Sequence, residues 1–103
     1  GHRNDVEGYG RALMDLDSRV PDIIDALQDE DMLVITADHG CDPTTPGTDH
    51  TREYVPLLVY GPRLKGGIDL GTRGSFADVG ASVSEYLGIS PPKEGISFLG
   101  KLL

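Results

Sequence analysis

The sequence predicts an α/β fold in which a parallel sheet is flanked by helices. Three observations carry this. Two short, β-branched apolar runs are bounded by polar residues, which is the pattern of strands buried on both faces. Each run neighbours a stretch whose apolar residues recur every three or four positions, the mark of an amphipathic helix. The resulting order of helix, strand, long loop, strand and helix is that of an α/β layer.

The first helix follows from Tyr9, Ala12, Leu13, Leu16, Val20, Ile23, Ile24 and Leu27, which form one stripe. Asp15, Asp17, Arg19, Asp22, Asp25 and Gln28 fall opposite. Asn4 or Asp5 is placed to cap the start. Pro21 lies in the same phase and predicts a kink between Asp17 and Pro21, because proline removes one hydrogen bond and crowds the carbonyl four residues back.

Met32 to Ala37 (MLVITA) reads as the first strand and Val55 to Tyr60 (VPLLVY) as the second, with Pro56 near its start. Asp38 to Tyr54 between them is a long connection, and loops of that length are usually functional or disordered. Ser75 and Asp78 suggest a reciprocal cap for the second helix. Phe76, Val79, Val83, Tyr86 and Leu87 give its apolar stripe, and Gly88 a stop. Ile96, Phe98, Leu99, Leu102 and Leu103 are expected to dock on the core. Two strands are too few for a self-sufficient parallel sheet, so the chain reads as part of a larger one.

Composition narrows the function classes. The chain has 103 residues, a formal net charge of −8, and 17 acidic against 9 basic side chains, the wrong sign for nucleic-acid backbone binding. No apolar run approaches the roughly 20 residues that span a bilayer. The first residues, GHRNDVEGYG, carry no apolar signal core. A single cysteine fits a reducing, cytoplasmic compartment.

Candidate chemistry gathers in ADHGCDPTTPGTDHTREYVP. Asp38 and His39 stand at the end of a strand, where open α/β sheets bind their ligands. A carboxylate beside an imidazole offers two donor types to a divalent ion. His50 returns on the same loop, and His2 stands just before the first helix. A hydrogen-bonded structural pair is the alternative for Asp38 and His39. For Cys41 it is a buried thiol, for Asp42 and Asp49 turn formation, and for Arg52 pairing with Asp49 or Glu53.

The block DHGCDPTTPGTDHTREYVPLLVYG resembles the metal-binding block of the phosphopentomutases, which belong to the alkaline phosphatase superfamily. GHRNDVEGYGRAL before it and LGTRGSFADVGASVSEYLG after it are similar to that family in order and spacing. Asp-His-Gly alone is shared by many relatives, and the Cys-Asp-Pro-Thr and Thr-Asp-His-Thr-Arg-Glu context is more specific.

The resemblance implies an alkaline-phosphatase-like parallel-sheet core with a pair of manganese ions (Mn2+), zinc or magnesium being possible substitutes. Asp38 and His39 match the ligands of one ion, and His50 and His2 match ligands of the other. It implies transfer of phosphate between the C1 and C5 oxygens of ribose or deoxyribose, relayed by a phosphothreonine, with a pentose phosphate as substrate. Thr44, Thr45, Thr48 and Thr51 do not match the nucleophile, so no catalytic residue is assigned to this chain.

Residues 1–103 then correspond to the carboxy-terminal segment of the catalytic core, and the nucleophile-bearing part and the cap domain belong to the remainder of the native chain. Little or no mutase activity is expected of the segment alone. Two other readings stand beside this one. The first is a related metal-dependent phosphoglycerate mutase or phosphodiesterase. The second is a non-catalytic α/β module that binds a cation or a protein.

Overall fold

A computed structural model describes residues 4–47 and 52–103. The elements are α1 (Val6–Ala26), β1 (Leu33–Ile35), β2 (Leu58–Tyr60), α2 (Ala77–Leu87) and a single 3-10 turn (Leu99–Lys101). The chain divides into two compact units, Gly1–Pro62 and Arg63–Leu103.

In the first unit, α1 begins where the sequence places a cap. The Asp5 carboxylate accepts from the Gly8 N–H at 2.9 Å, which satisfies one of the donors that a helix start leaves open. Gly8 makes room for this, since a Cβ there would fall 2.3 Å from Asp5 Oδ2. Asn4 does not cap. It adopts φ +54, a left-handed conformation that asparagine tolerates better than most residues. Its side-chain amide donates to the Gly47 carbonyl instead.

The helix runs as one element through Pro21, which stands inside it and leaves the Asp17 carbonyl without its usual donor. None of its residues is buried. The expected apolar stripe is covered only in part: Leu13 is 55% exposed, and Leu16 and Ile23 are exposed as well, whereas Tyr9, Val20, Ile24 and Leu27 are half-buried.

The strands correct the parallel prediction. β1 and β2 pair antiparallel, with Leu33 opposite Tyr60, Val34 opposite Val59 and Ile35 opposite Leu58. The reason lies in the connection. Parallel neighbours need a crossover, usually a helix, and no helix is present among the described residues between β1 and β2. The chain therefore turns back through a loop. Both strands are shorter than the apolar runs that contain them. β1 is half-buried throughout, whereas Leu58 and Tyr60 of β2 are exposed around a half-buried Val59.

The second unit has a small core of Ala81, Phe98, Leu99 and Leu102, with Asp78 and Ser82 buried among them. Ser75 is not the N-cap of α2: that position is Phe76, which makes no side-chain cap bond, and the Ser75 hydroxyl accepts from Ala77 N–H at 3.0 Å just ahead of it. Asp78 does not reciprocate. Its carboxylate accepts from Arg73 Nε at 2.8 Å and from Ile96 N–H at 2.9 Å, tying the segments before and after α2 to the helix. Arg73 also lies 5.7 Å from the centre of the Phe98 ring, within cation–π range.

Ser82 forms the second tie. Its hydroxyl donates to the Asp78 carbonyl at 2.7 Å and accepts from Phe98 N–H at 2.9 Å. The tail thus docks on the polar-and-small side of α2 (Asp78, Ala81 and Ser82) and leaves Phe76 and Leu87 of the predicted stripe exposed. Ile96 and Leu103 stay exposed as well.

Gly88 ends α2 in the left-handed region at φ +71. Its N–H reaches the Glu85 carbonyl and the Ile89 N–H reaches that of Ser84, the paired bonds of a Schellman stop.

Candidate metal centre

β1 delivers the chain directly into the Asp38–His39 pair, with Thr36 and Ala37 between. The backbone bends at both residues. The Asp38 side chain is 90% exposed and that of His39 34%, and His39 Nε2 lies 3.7 Å from Asp38 Oδ1. His39 Nδ1 donates to the Gly40 carbonyl at 2.9 Å. A carbonyl can only accept, so this bond requires a proton on Nδ1, and Nε2 is the ring nitrogen on the Asp38 side.

This is the arrangement metal-binding histidines use: one nitrogen is fixed by a hydrogen bond and the other is directed at the ion. Two donors 3.7 Å apart can both lie at the ~2.1 Å typical of nitrogen and oxygen ligands around one divalent ion. The pair therefore fits a cation.

The loop that follows is organised by its own side chains. Asp42 Oδ1 accepts from the Thr44 hydroxyl at 2.6 Å and from Thr44 N–H at 2.9 Å, closing a turn around Pro43. The Thr44 hydroxyl, then its N–H, hold the Asp42 carboxyl below the ordinary carboxylate range. Asp42 thus behaves as the turn residue that its neighbours suggest. Cys41 is half-buried and outside any disulfide.

At the far end the chain returns past Gly40. A Cβ on Gly40 would meet Glu53 Cβ at 2.6 Å, its N at 2.7 Å and its carbonyl oxygen at 2.8 Å. The outgoing and returning limbs of the loop therefore touch beside the Asp38–His39 pair, through a glycine.

Of the four predicted donors, the structure brings Asp38 and His39 together. His2 and His50 lie outside the described residues, as do Thr48, Asp49 and Thr51. Among the described residues no group of three or more His, Cys, Asp or Glu side chains is placed to hold a metal.

Two contributors were missed in the sequence. Gly40 reads there only as the third residue of Asp-His-Gly, and Asn4 reads as a helix cap. The asparagine carried a usable signal, since a non-glycine residue entering the left-handed region is most often Asn or Asp.

The chain belongs to the Metalloenzyme superfamily, whose sequence profile matches residues 1–91. At the level of individual proteins it is 60% identical, over its whole length, to the phosphopentomutase of Acetivibrio thermocellus, of which it covers 26%. It is likewise 60% identical, over 102 residues, to the phosphopentomutase of Caldanaerobacter subterraneus subsp. tengcongensis, covering 99% of this chain and 26% of that protein. With the phosphopentomutase of Clostridium kluyveri it shares 56% identity over 98 residues, 95% of this chain. The chain thus spans about a quarter of the length of the curated relatives it matches. No helix among the described residues is long and apolar enough to cross a membrane.

Proposed function

We propose that this chain is the carboxy-terminal part of the catalytic core of a phosphopentomutase. The parent enzyme moves a phosphoryl group between the C1 and C5 oxygens of ribose or deoxyribose, and its substrate is a pentose phosphate. The observation that carries this reading is the 60% identity to phosphopentomutases along the entire 103 residues, helix, metal-pair loop and tail included.

Asp38 and His39 hold one divalent cation in this reading, and His2 and His50 contribute to a second. Two contacts between described residues are compatible with this reading. Asn4, close to His2 in the chain, binds Gly47, and Glu53, close to His50, lies against Gly40. Manganese is the proposed metal, and the mixed carboxylate and imidazole donors also suit zinc. Bound cations supply charge neutralisation for the anionic transition state of phosphoryl transfer. The residues of this chain fix donor positions, and the nucleophile and the cap over the substrate belong to the rest of the parent protein.

β1 and β2 belong in this reading to a larger, mainly parallel, alkaline-phosphatase-like sheet, in which an antiparallel pair at one side is a common feature. The single cysteine and the acidic balance suit a cytoplasmic enzyme without nucleic-acid partners.

The test is turnover. A protein of the relatives' length that contains this segment is expected to interconvert ribose 1-phosphate and ribose 5-phosphate with Mn2+ present. The 103-residue chain alone is expected to give none. Failure of the longer protein with Mn2+, zinc and magnesium alike overturns the reading.

A further inference from the structure

We propose that Gly40 is the positioning residue for His39, and that it acts through its carbonyl and through its missing side chain together. The inference rests on reading His39 as a metal donor.

The carbonyl of Gly40 receives the His39 Nδ1 proton at 2.9 Å. Which nitrogen of a histidine faces a metal is set by the hydrogen bond that the other one makes. The direction of the Gly40 carbonyl therefore decides that Nε2 faces Asp38. That direction depends on the peptide plane at Gly40, and the plane is confined by Glu53. A Cβ at position 40 would collide with Glu53 N at 2.7 Å and with its carbonyl oxygen at 2.8 Å as well as with its Cβ at 2.6 Å. Backbone atoms cannot swing aside as a side-chain tip can, so any side chain at 40 must displace one limb of the loop.

The demand for glycine here is one of space. Gly40 is absent from the residues with positive φ, unlike Gly47 at +92 on the same loop. An alanine at 40 is thus acceptable to the local backbone conformation and is excluded by Glu53, through its Cβ and its backbone together. The expected consequence of adding it is a turned carbonyl and a His39 ring released from the Nδ1–H form.

The experiment uses imidazole ¹⁵N shifts of the metal-free chain at pH 8, which report the tautomer of each ring, with His39→Gln assigning the His39 signal. Mn2+ affinity is measured on the same samples. Wild type is expected to show His39 in the Nδ1–H form. Gly40→Ala is expected to lose that form and to bind Mn2+ at least about tenfold more weakly, the usual cost of losing such a supporting contact.

Glu53→Gly added to Gly40→Ala is expected not to rescue, because the backbone clash remains. Gly10→Ala, in a helical position with open space around it, is expected to match wild type. An Nε2–H tautomer in the wild-type chain removes the premise whether or not the variants fold. A Gly40→Ala protein that binds Mn2+ as wild type does and keeps the Nδ1–H form overturns the role of Gly40 alone. A shifted tautomer with no Mn2+ binding by either protein overturns the metal reading, and the inference with it.

Discussion

Ser82→Ala deletes one oxygen from the least exposed polar site of the second unit. Ser82 is 0% exposed, and its hydroxyl bridges the Asp78 carbonyl on α2 and the Phe98 N–H in the tail. The substitution leaves Cβ in place and opens almost no cavity, so the packing loss is small. The dominant loss is at Phe98, whose buried N–H is left without an acceptor. An unsatisfied buried donor costs about 1–3 kcal/mol, and the centre of that range, about 2 kcal/mol, corresponds to roughly a thirtyfold change in an opening equilibrium.

Amide hydrogen exchange of α2 and of Leu99 to Leu102 measures this directly, because protection reports local opening. The expected result is a loss of roughly thirtyfold in protection, at about 1.36 kcal/mol per factor of ten. Ser75→Ala is the comparison. It removes an exposed bond to Ala77 N–H, and an exposed hydrogen bond of this kind is worth about 0.5–1.5 kcal/mol. If Ser82→Ala loses no more protection than Ser75→Ala, the Ser82 bridge is not what fastens the tail.

Three further outcomes are expected. Ile96 N–H, then Arg73, hold the Asp78 carboxyl below its ordinary value of 3.8, against an opposing effect of burial. The folded value is therefore the lower one, so this stabilisation is present above the unfolded value and is lost as pH falls through the folded value. An acid titration of the second unit's protection should show a step below pH 3.8 that Asp78→Asn removes, and an unchanged step contradicts the assignment. Gly95 combines φ +97 with a Cβ position 2.2 Å from the Ala77 carbonyl oxygen. Gly95→Ala should therefore destabilise the unit by more than the roughly 1–2 kcal/mol expected for the purely conformational Gly88→Ala, read from urea midpoints. Leu13, 55% exposed on α1, should tolerate Leu13→Gln within ~0.5 kcal/mol in this chain, and a loss several times larger would show that the α1 stripe is covered in solution.

What was legible in the sequence was local. Asp5 before a helical stripe and Gly88 after one each act within a few residues of themselves, and each is where the pattern placed it. What stayed hidden depended on distant parts of the chain. The antiparallel pairing of β1 and β2 is decided by the connection between them, and the apolar runs themselves read the same for either direction. Asp78 looked like half of a capping box because Ser75 stands three residues before it. Arg73 and the Ile96 N–H were the stronger partners, and Ile96 is eighteen residues away.

The stripe of α1 is a true amphipathic signal, but periodicity says only that a face is apolar, not what covers it. Gly40 was invisible for a similar reason. A glycine required by space has no local signature, and its neighbour Glu53 comes from the other end of the loop.

The proposed function requires that Asp38 and His39 form a divalent-cation site and are not simply two polar residues on an acidic chain. Paramagnetic broadening by substoichiometric Mn2+, followed at every carboxyl and imidazole signal of the chain, tests it most directly. The expected result is that Asp38 and His39 broaden first, and that His39→Ala abolishes this selectivity without affecting the Asp15, Asp17, Asp22 and Asp25 signals of α1. Broadening spread evenly over the acidic residues of α1, with Asp38 and His39 no more affected than they are, contradicts the claim.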